Sequence, residues 1–167
     1  MKKTLLNKSK IDSVIALFSS GQLEDALSQA LKLTKTCPNH SLVHNVTGAC
    51  YAGLGQLASA IKSYEKAIEL DPNYFKAYYN LGASYQELVQ YDKSIESYQK
   101  SISIDPEYAE AHNNLGSVFM ELGQYEEAIE CYEKAIQIKP DYFEAHYGVG
   151  IVFFDLGDID KAIESYQ

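Results

Sequence analysis

The prolines of this chain lie at a constant interval, and this regularity constrains the fold more than any other feature. The four are Pro38, Pro72, Pro106 and Pro140, and neighbouring prolines are 34 residues apart. A fixed period of this length indicates a stack of repeated supersecondary units rather than one closed globule. If each proline is given position 32, the chain divides into units 7–40, 41–74, 75–108 and 109–142 and a partial unit 143–167.

The spacing of apolar residues inside a unit predicts two amphipathic helices. In unit 109–142 a first face is formed by His112, Leu115, Gly116 and Phe119, at i, i+3, i+4 and i+7. A second face follows the turn at Gly123 and consists of Ala128, Tyr132 and Ala135. The proline then ends the second helix, because it moves the preceding residue out of the α region. Each unit is therefore predicted to be a helical hairpin.

Four positions of the unit recur along the chain. Position 8 holds Gly48, Gly82, Gly116 and Gly150, and position 11 holds Tyr51, Tyr85, Phe119 and Phe153. Position 20 holds Ala26, Ala60, Ser94, Ala128 and Ala162, and position 24 holds Tyr64, Tyr98, Tyr132 and Tyr166. With the proline at position 32, this pattern resembles the tetratricopeptide-repeat (TPR) family. The resemblance implies an all-α fold, an α-solenoid in which antiparallel helix pairs form a right-handed superhelix with a concave inner surface.

Two units depart from the pattern. The first unit has Val14 in place of the glycine at position 8 and Ala30 in place of the aromatic residue at position 24. We expect it to be a degenerate repeat that caps the array, because terminal repeats of stacked folds are atypical. The third unit has Val89 where a turn glycine is expected, so its turn is predicted to be tighter or tilted.

Residues 1–167 are expected to form a single TPR array. The sequence ends at Gln167, inside the predicted second helix of the fifth unit. We therefore expect the chain to be the N-terminal part of a longer protein. Another expectation is self-association through this uncapped repeat, since an array that ends there leaves an apolar face uncovered.

The resemblance also implies a binding surface, because the first helix of each repeat lines the concave side of TPR superhelices. The candidate peptide-binding residues on this side are Asn45, Lys76, Tyr79, Asn80, Gln86, Asn113, Asn114, Ser117, Tyr147 and Phe154. Asn80 and Asn114 share position 6, and a carboxamide can pair with any peptide backbone. Similar asparagine ladders hold extended peptides in TPR proteins. The alternative is that these two asparagines only cap or solvate their helices.

The charge of the chain restricts its partners. The formal net charge is -9 and the isoelectric point is about 4.8, which disfavours nucleic acid and an anionic membrane surface. A protein or peptide partner that is neutral or basic is expected instead. The three cysteines form no CxxC pair, and no signal peptide or membrane span is predicted, so we expect a cytoplasmic protein.

No sequence motif indicates catalysis, a metal or a cofactor. His44, His112 and His146 share position 4, where we expect packing between two helices rather than metal binding. The first hypothesis is thus an interaction scaffold, not an enzyme. The alternative follows from the resemblance: similar arrays precede catalytic domains in bacterial glycosyltransferases, sulfotransferases and oxygenases. In that case this region would recruit substrate for a catalytic domain beyond residue 167.

Overall fold

A computed structural model describes the backbone of residues 2–165 and the side chains of residues 9–165. The described residues form helices joined by short turns, with no strand among them. The helices are α1 Lys2–Ser19, α2 Leu23–Thr36, α3 Ser41–Gly53, α4 Leu57–Leu70, α5 Phe75–Glu87, α6 Tyr91–Ile104, α7 Ala109–Glu121, α8 Tyr125–Ile138, α9 Phe143–Asp155 and α10 Ile159–Ser165. Odd-numbered helices are first helices of a unit and even-numbered helices are second helices. The predicted all-α fold of helix pairs is confirmed.

Each first helix ends in a turn that requires a left-handed backbone. Gly21, Gly55, Gly123 and Gly157 have φ between 71° and 80°, where a residue without a side chain is unstrained. The N–H of the next residue donates to the carbonyl five residues earlier, as in Schellman motifs. Val89, which replaces this glycine in the third unit, adopts the same left-handed conformation, with φ 57°, and the tighter or tilted turn stays a prediction.

Proline ends the second helices as predicted. Asp71, Asp105 and Lys139 directly precede a proline and have φ between −144° and −128° and ψ near 90°. These extended conformations keep the backbone clear of the proline ring. The next first helix begins four residues after each of them, so the chain reverses within a short turn.

The two helices of a hairpin pack closely because glycine on one faces tyrosine on the other. A Cβ atom added at Gly48 would lie 2.5 Å from Cε1 of Tyr64. The same addition at Gly116 would lie 3.0 Å from Cδ1 and Cε1 of Tyr132. Contacts this short leave no room for a methyl group, so the ring takes the volume that a side chain at position 8 would occupy. Tyr166, at the equivalent position of the fifth unit, lies outside the described residues.

The degenerate first unit keeps its packing by exchanging the sizes of the two partners. Val14 is fully buried and Ala30 is 1% exposed, and both belong to one core cluster. A larger residue thus stands at position 8 and a smaller one at position 24. Cores tolerate such substitutions when the total volume is conserved.

The chain divides into two compact units, Met1–Ser84 and Tyr85–Gln167, and the boundary falls inside α5. Each unit has its own core. The first is built around Val14, Leu33 and Val43, and the second around Tyr132, Tyr142 and Val152. The prediction of one array over the whole chain stays a prediction.

Candidate functional site

The histidines at position 4 have a structural role that their spacing alone did not reveal. In three units, Nε2 of the histidine lies within hydrogen-bond distance of the proline carbonyl six residues earlier. The distances are 2.7 Å for His44 and Pro38, 3.0 Å for His112 and Pro106, and 2.9 Å for His146 and Pro140. Each ring thus ties the start of a first helix to the preceding turn. His112 is buried, and the other two are half-buried.

No described residues are arranged as a metal or membrane site. Between residues 9 and 165, no group of three or more His, Cys, Asp or Glu side chains is close enough to hold a metal ion. No helix between residues 2 and 165 combines the length and apolar character needed to cross a membrane. Burial raises the pKa of the Cys50 and Cys131 thiols to about 11, so neither is a thiolate near neutral pH.

In the compact unit Met1–Ser84, helices α3 and α5 bring Asn45 and Asn80 together. Nδ2 of Asn80 donates to Oδ1 of Asn45 over 3.0 Å. Asn45 is buried, with 8% of its surface exposed, and its side chain also forms a hydrogen bond with Tyr74. Burial and the nearby Asp71 carboxylate raise the pKa of Tyr74 despite that bond. Asn45 therefore shapes this face by fixing its neighbours, not by direct exposure to a ligand.

The other two candidate residues in the compact unit Met1–Ser84 differ in exposure. Lys76 is exposed, and its Nζ lies 5.7 Å from the centroid of the Phe75 ring. Tyr79 is half-buried. An ammonium over an aromatic face is weakly stabilising at an exposed site. Lys76 is thus available to an acidic group of a partner.

In the compact unit Tyr85–Gln167, Gln86 lies at the centre of a polar network. Its Oε1 accepts a hydrogen bond from the hydroxyl of the fully buried Tyr98 over 3.1 Å. Its Nε2 donates to Ser117 Oγ at 3.3 Å and to Glu121 Oε1 at 3.1 Å. Ser117 also forms a hydrogen bond with Tyr132. Gln86 and Ser117, both predicted as ligand contacts, are thus partly engaged within the protein.

Glu121 is held at a second point. The Tyr91 hydroxyl donates to its carboxylate, and this hydrogen bond is the main reason why the pKa of Tyr91 is raised. The carboxylate therefore bridges α6 to the end of α7. A substitution of Glu121 would disturb the network as well as the surface charge.

Asn113 and Asn114 are adjacent on α7 and contact each other. Nδ2 of Asn113 donates to Oδ1 of Asn114 at 3.1 Å, and Nδ2 of Asn114 donates to the Tyr98 hydroxyl at 3.4 Å. Oδ1 of Asn113 is buried and has no hydrogen-bond donor among the described residues. A buried acceptor without a donor is unfavourable by about 1–3 kcal/mol.

A comparison with Asn45, in the compact unit Met1–Ser84, explains why Oδ1 of Asn113 has no donor. Asn45 and Asn113 both stand at position 5, and Asn45 is satisfied by Asn80 at position 6 of the next repeat. The residue equivalent to Asn80 in the fifth repeat is Gly148, which has no side chain. The Tyr132 ring occupies this space, since a Cβ added at Gly148 would lie 2.5 Å from its Cζ.

Exposed aromatic rings are concentrated on α9. Tyr147 is 50% exposed and Phe154 is 62% exposed, as their positions on the first helix predicted. Phe143 is also exposed and stacks on Tyr147, with ring centroids 6.0 Å apart and an angle of 14° between the planes. These rings give the compact unit Tyr85–Gln167 an exposed apolar surface.

The sequence placed some of these residues better than others. It indicated the exposed side chains but missed the hydroxyls of Tyr74, Tyr98 and Tyr132, which organise the polar contacts. For Tyr98 and Tyr132 the available signal was tyrosine at position 24 in four successive units, where phenylalanine would fill the same volume. Tyr74 stands at position 34, where this signal does not apply. A buried phenol requires a hydrogen-bond partner.

Comparison with known proteins agrees with the repeat pattern. The family profile described as "TPR repeat" matches residues 48–89, 90–123 and 116–157. A search of the curated proteins gave no significant match.

Several solved structures are similar to the chain over most of its length. The crystal structure of MamA is 30% identical, covers 90% of this chain and 88% of its own, and has a TM-score of 0.80. TTC0263, a thermophilic TPR protein of Thermus thermophilus, is 18% identical, with coverages of 96% and 88% and a TM-score of 0.82.

A third structure, YrrB, is described as a TPR protein with an unusual peptide-binding site. It is 21% identical, with coverages of 93% and 80% and a TM-score of 0.71. At this identity and that of TTC0263 the likeness shows the fold alone. The family profile, in contrast, matches segments that together span residues 48–157, well over half of the chain. This chain therefore belongs to the tetratricopeptide-repeat family.

Proposed function

We propose that this protein is an interaction scaffold that binds segments of other proteins on the exposed sides of its first helices. The observation that carries the proposal is the pair of exposed rings on α9, Tyr147 and Phe154. Aromatic side chains contribute large contact areas with few rotatable bonds, and they are enriched among residues that dominate binding energy.

Two further facts support the proposal. The chain belongs to a family of repeat proteins that bind other proteins, and one structure with the same fold, YrrB, has a peptide-binding site. Polar side chains on two other first helices are also fixed, because Gln86 of α5 and Ser117 of α7 are held by hydrogen bonds. A surface that is ordered before binding loses less conformational entropy when it binds.

The asparagine ladder is part of this proposal in a modified form. Asn80 and Asn114 each donate one hydrogen bond within the protein, to Asn45 and to Tyr98 respectively. A carboxamide has two donor hydrogens and two acceptor sites, so a backbone group of a ligand can still be added. Substrate recruitment for a catalytic domain would use the same surfaces and is the alternative within this proposal.

The proposal is tested by selecting random dodecapeptides displayed on phage against the purified protein. We expect the selected peptides to lose binding to the Tyr147→Ala/Phe154→Ala variant. They should still bind Ile163→Ala, a control in which an apolar side chain of similar exposure is removed from a second helix. Failure to select any peptide, or equal binding to the double variant, would refute the proposal.

Self-association is a separate proposal, supported by apolar side chains on α10. Ile159 and Ile163 are 49% and 51% exposed. Sedimentation velocity over a range of concentrations should detect dimers of the wild-type chain and fewer dimers of Ile159→Ser/Ile163→Ser. A wild-type chain that sediments as a monomer throughout would exclude this mode.

A further inference from the structure

We propose that the α7–α9 face, formed by the exposed sides of these two first helices, binds a cationic segment in which an apolar side chain lies between basic residues. This inference rests on the proposed function and specifies the chemistry of a partner that binds the compact unit Tyr85–Gln167. It follows from the charge of the two helices, the order of residues along α9, and the absence of neutralising ion pairs among the described residues.

The charge of the two helices has one sign. Helix α7 contains Glu110 and Glu121, and α9 contains Glu144 and Asp155, whereas neither helix contains lysine or arginine. The two helices are in contact, so their carboxylates add to one negative field. The second helices α8 and α10 differ in carrying charges of both signs: α8 contains one lysine with four glutamates, and α10 contains one lysine with one aspartate and one glutamate.

The nearby lysines do not neutralise this face. Lys161 pairs with Asp158 at 3.0 Å, and Nζ of Lys139 lies 4.5 Å from the centroid of the Tyr142 ring. Neither Glu144 nor Asp155 forms an ion pair with any residue that the structure describes. The two carboxylates are exposed and available to a cationic partner.

The order of charged and aromatic residues along α9 defines the ligand. Glu144 is followed by Tyr147 at i+3, Phe154 at i+10 and Asp155 at i+11, which places all four within one stripe of the helix. The aromatic rings thus lie between two carboxylates. A ligand that matches this order has basic groups on both sides of an apolar one.

The length of the stripe sets the spacing of those basic groups. Glu144 and Asp155 are eleven positions apart in the helix, a rise of about 16 Å at about 1.5 Å per residue. An extended segment advances about 3.3 Å per residue, so lysines about five positions apart would reach both carboxylates. A second copy of this chain is a poor match, because its net charge is also -9.

The inference is tested by fluorescence anisotropy with the full chain and four labelled peptides. The first peptide carries lysine pairs on both sides of a Leu-Phe-Leu core. The others replace the lysines by serine, replace the lysines by glutamate, or replace the apolar core by serine. We expect the first peptide to bind about tenfold more tightly than each of the others. Its affinity should fall as salt rises from about 50 to about 200 mM, because exposed charges are screened.

Matched variants separate local charge from the charge of the whole protein. Glu144→Gln/Asp155→Asn should weaken the first peptide about three- to tenfold. Glu130→Gln/Glu133→Gln removes the same charge from exposed positions of α8 and should change affinity less than about twofold. Equal effects of the two double variants would overturn the inference.

The peptide series also separates this inference from the proposed function. If the serine or glutamate peptide binds as tightly as the first and depends on Tyr147 and Phe154, the cationic specificity is wrong and the scaffold function stands. If none of the four binds, the specificity is likewise wrong. The phage selection then decides the scaffold function independently.

Discussion

Val89 provides the sharpest test of how the hairpin turns are built. It has φ 57°, whereas the equivalent residues of the four other turns are glycines with φ between 71° and 80°. Two hydrogen bonds hold it there, from Val89 N–H to the Gln86 carbonyl at 2.8 Å and from Gln90 N–H to the Tyr85 carbonyl at 2.9 Å. A β-branched residue in this conformation is strained, and we expect Val89→Gly to stabilise the protein.

The magnitude follows from three opposing contributions. Relief of left-handed strain contributes about 1–3 kcal/mol. Greater freedom of glycine in the unfolded chain opposes this by about 0.4–1 kcal/mol. Val89 is 65% exposed, so the loss of its limited burial opposes it by about 0.5 kcal/mol. The midpoints of these contributions leave a net gain of about 0.8 kcal/mol, or a rise in Tm of roughly 2–3 °C.

Two further variants isolate the backbone contribution. Gly123→Val places valine in the same turn of the next repeat, where an added Cβ would meet no described atom within 4 Å, and should destabilise by about 1–2 kcal/mol. Val89→Asn retains a side chain but tolerates the left-handed region, so it should be at least as stable as Val89→Gly. Urea unfolding followed by circular dichroism measures each midpoint at constant m. A Gly123→Val variant as stable as the wild type would refute the reasoning.

Three other predictions concern the packing and the polar contacts. Gly148→Ala should lower the unfolding free energy by about 1–3 kcal/mol in a urea titration, because the added Cβ would lie 2.5 Å from the buried Tyr132 ring. This loss should exceed the helix-favouring effect of alanine. An unchanged free energy would show that the ring moves freely. Asn45→Ala should destabilise the protein by about 1–3 kcal/mol, but Asn113→Ala by at most about 0.5 kcal/mol. The reason is that Oδ1 of Asn45 accepts a hydrogen bond from Asn80, whereas Oδ1 of Asn113 has no donor among the described residues. Equal losses for the two variants would contradict this difference. Burial raises the pKa of Tyr132 from 10.0 to about 12, so the neutral phenol favours the folded state. The stability that this phenol contributes is complete below pH 10 and is lost as the pH rises to about 12. Unfolding titrations from pH 9 to 12 should show a smaller loss for Tyr132→Phe, and identical profiles would exclude this titration as the cause.

The sequence by itself determined the helical hairpins and the places where they begin and end. Proline and glycine act locally on the backbone, so their period of 34 residues fixes turns and helix ends without reference to distant residues. The resemblance also indicated the exposed rings of Tyr147 and Phe154, since side chains on one face of a helix follow from spacing. The size exchange between Val14 and Ala30 was visible as a departure, although its meaning was not.

Only the tertiary structure decided which polar side chains remain available. Asn45 and Asn113 stand at the same repeat position, yet one is satisfied and the other has an oxygen that no described residue pairs. The difference depends on the residue that the next repeat supplies, Asn80 in one case and Gly148 in the other. Hydrogen bonds between repeats join residues that are 31 to 35 positions apart, so no local pattern specifies them. Directional contacts of this kind depend on distances of a few tenths of an ångström, which only the packed helices set.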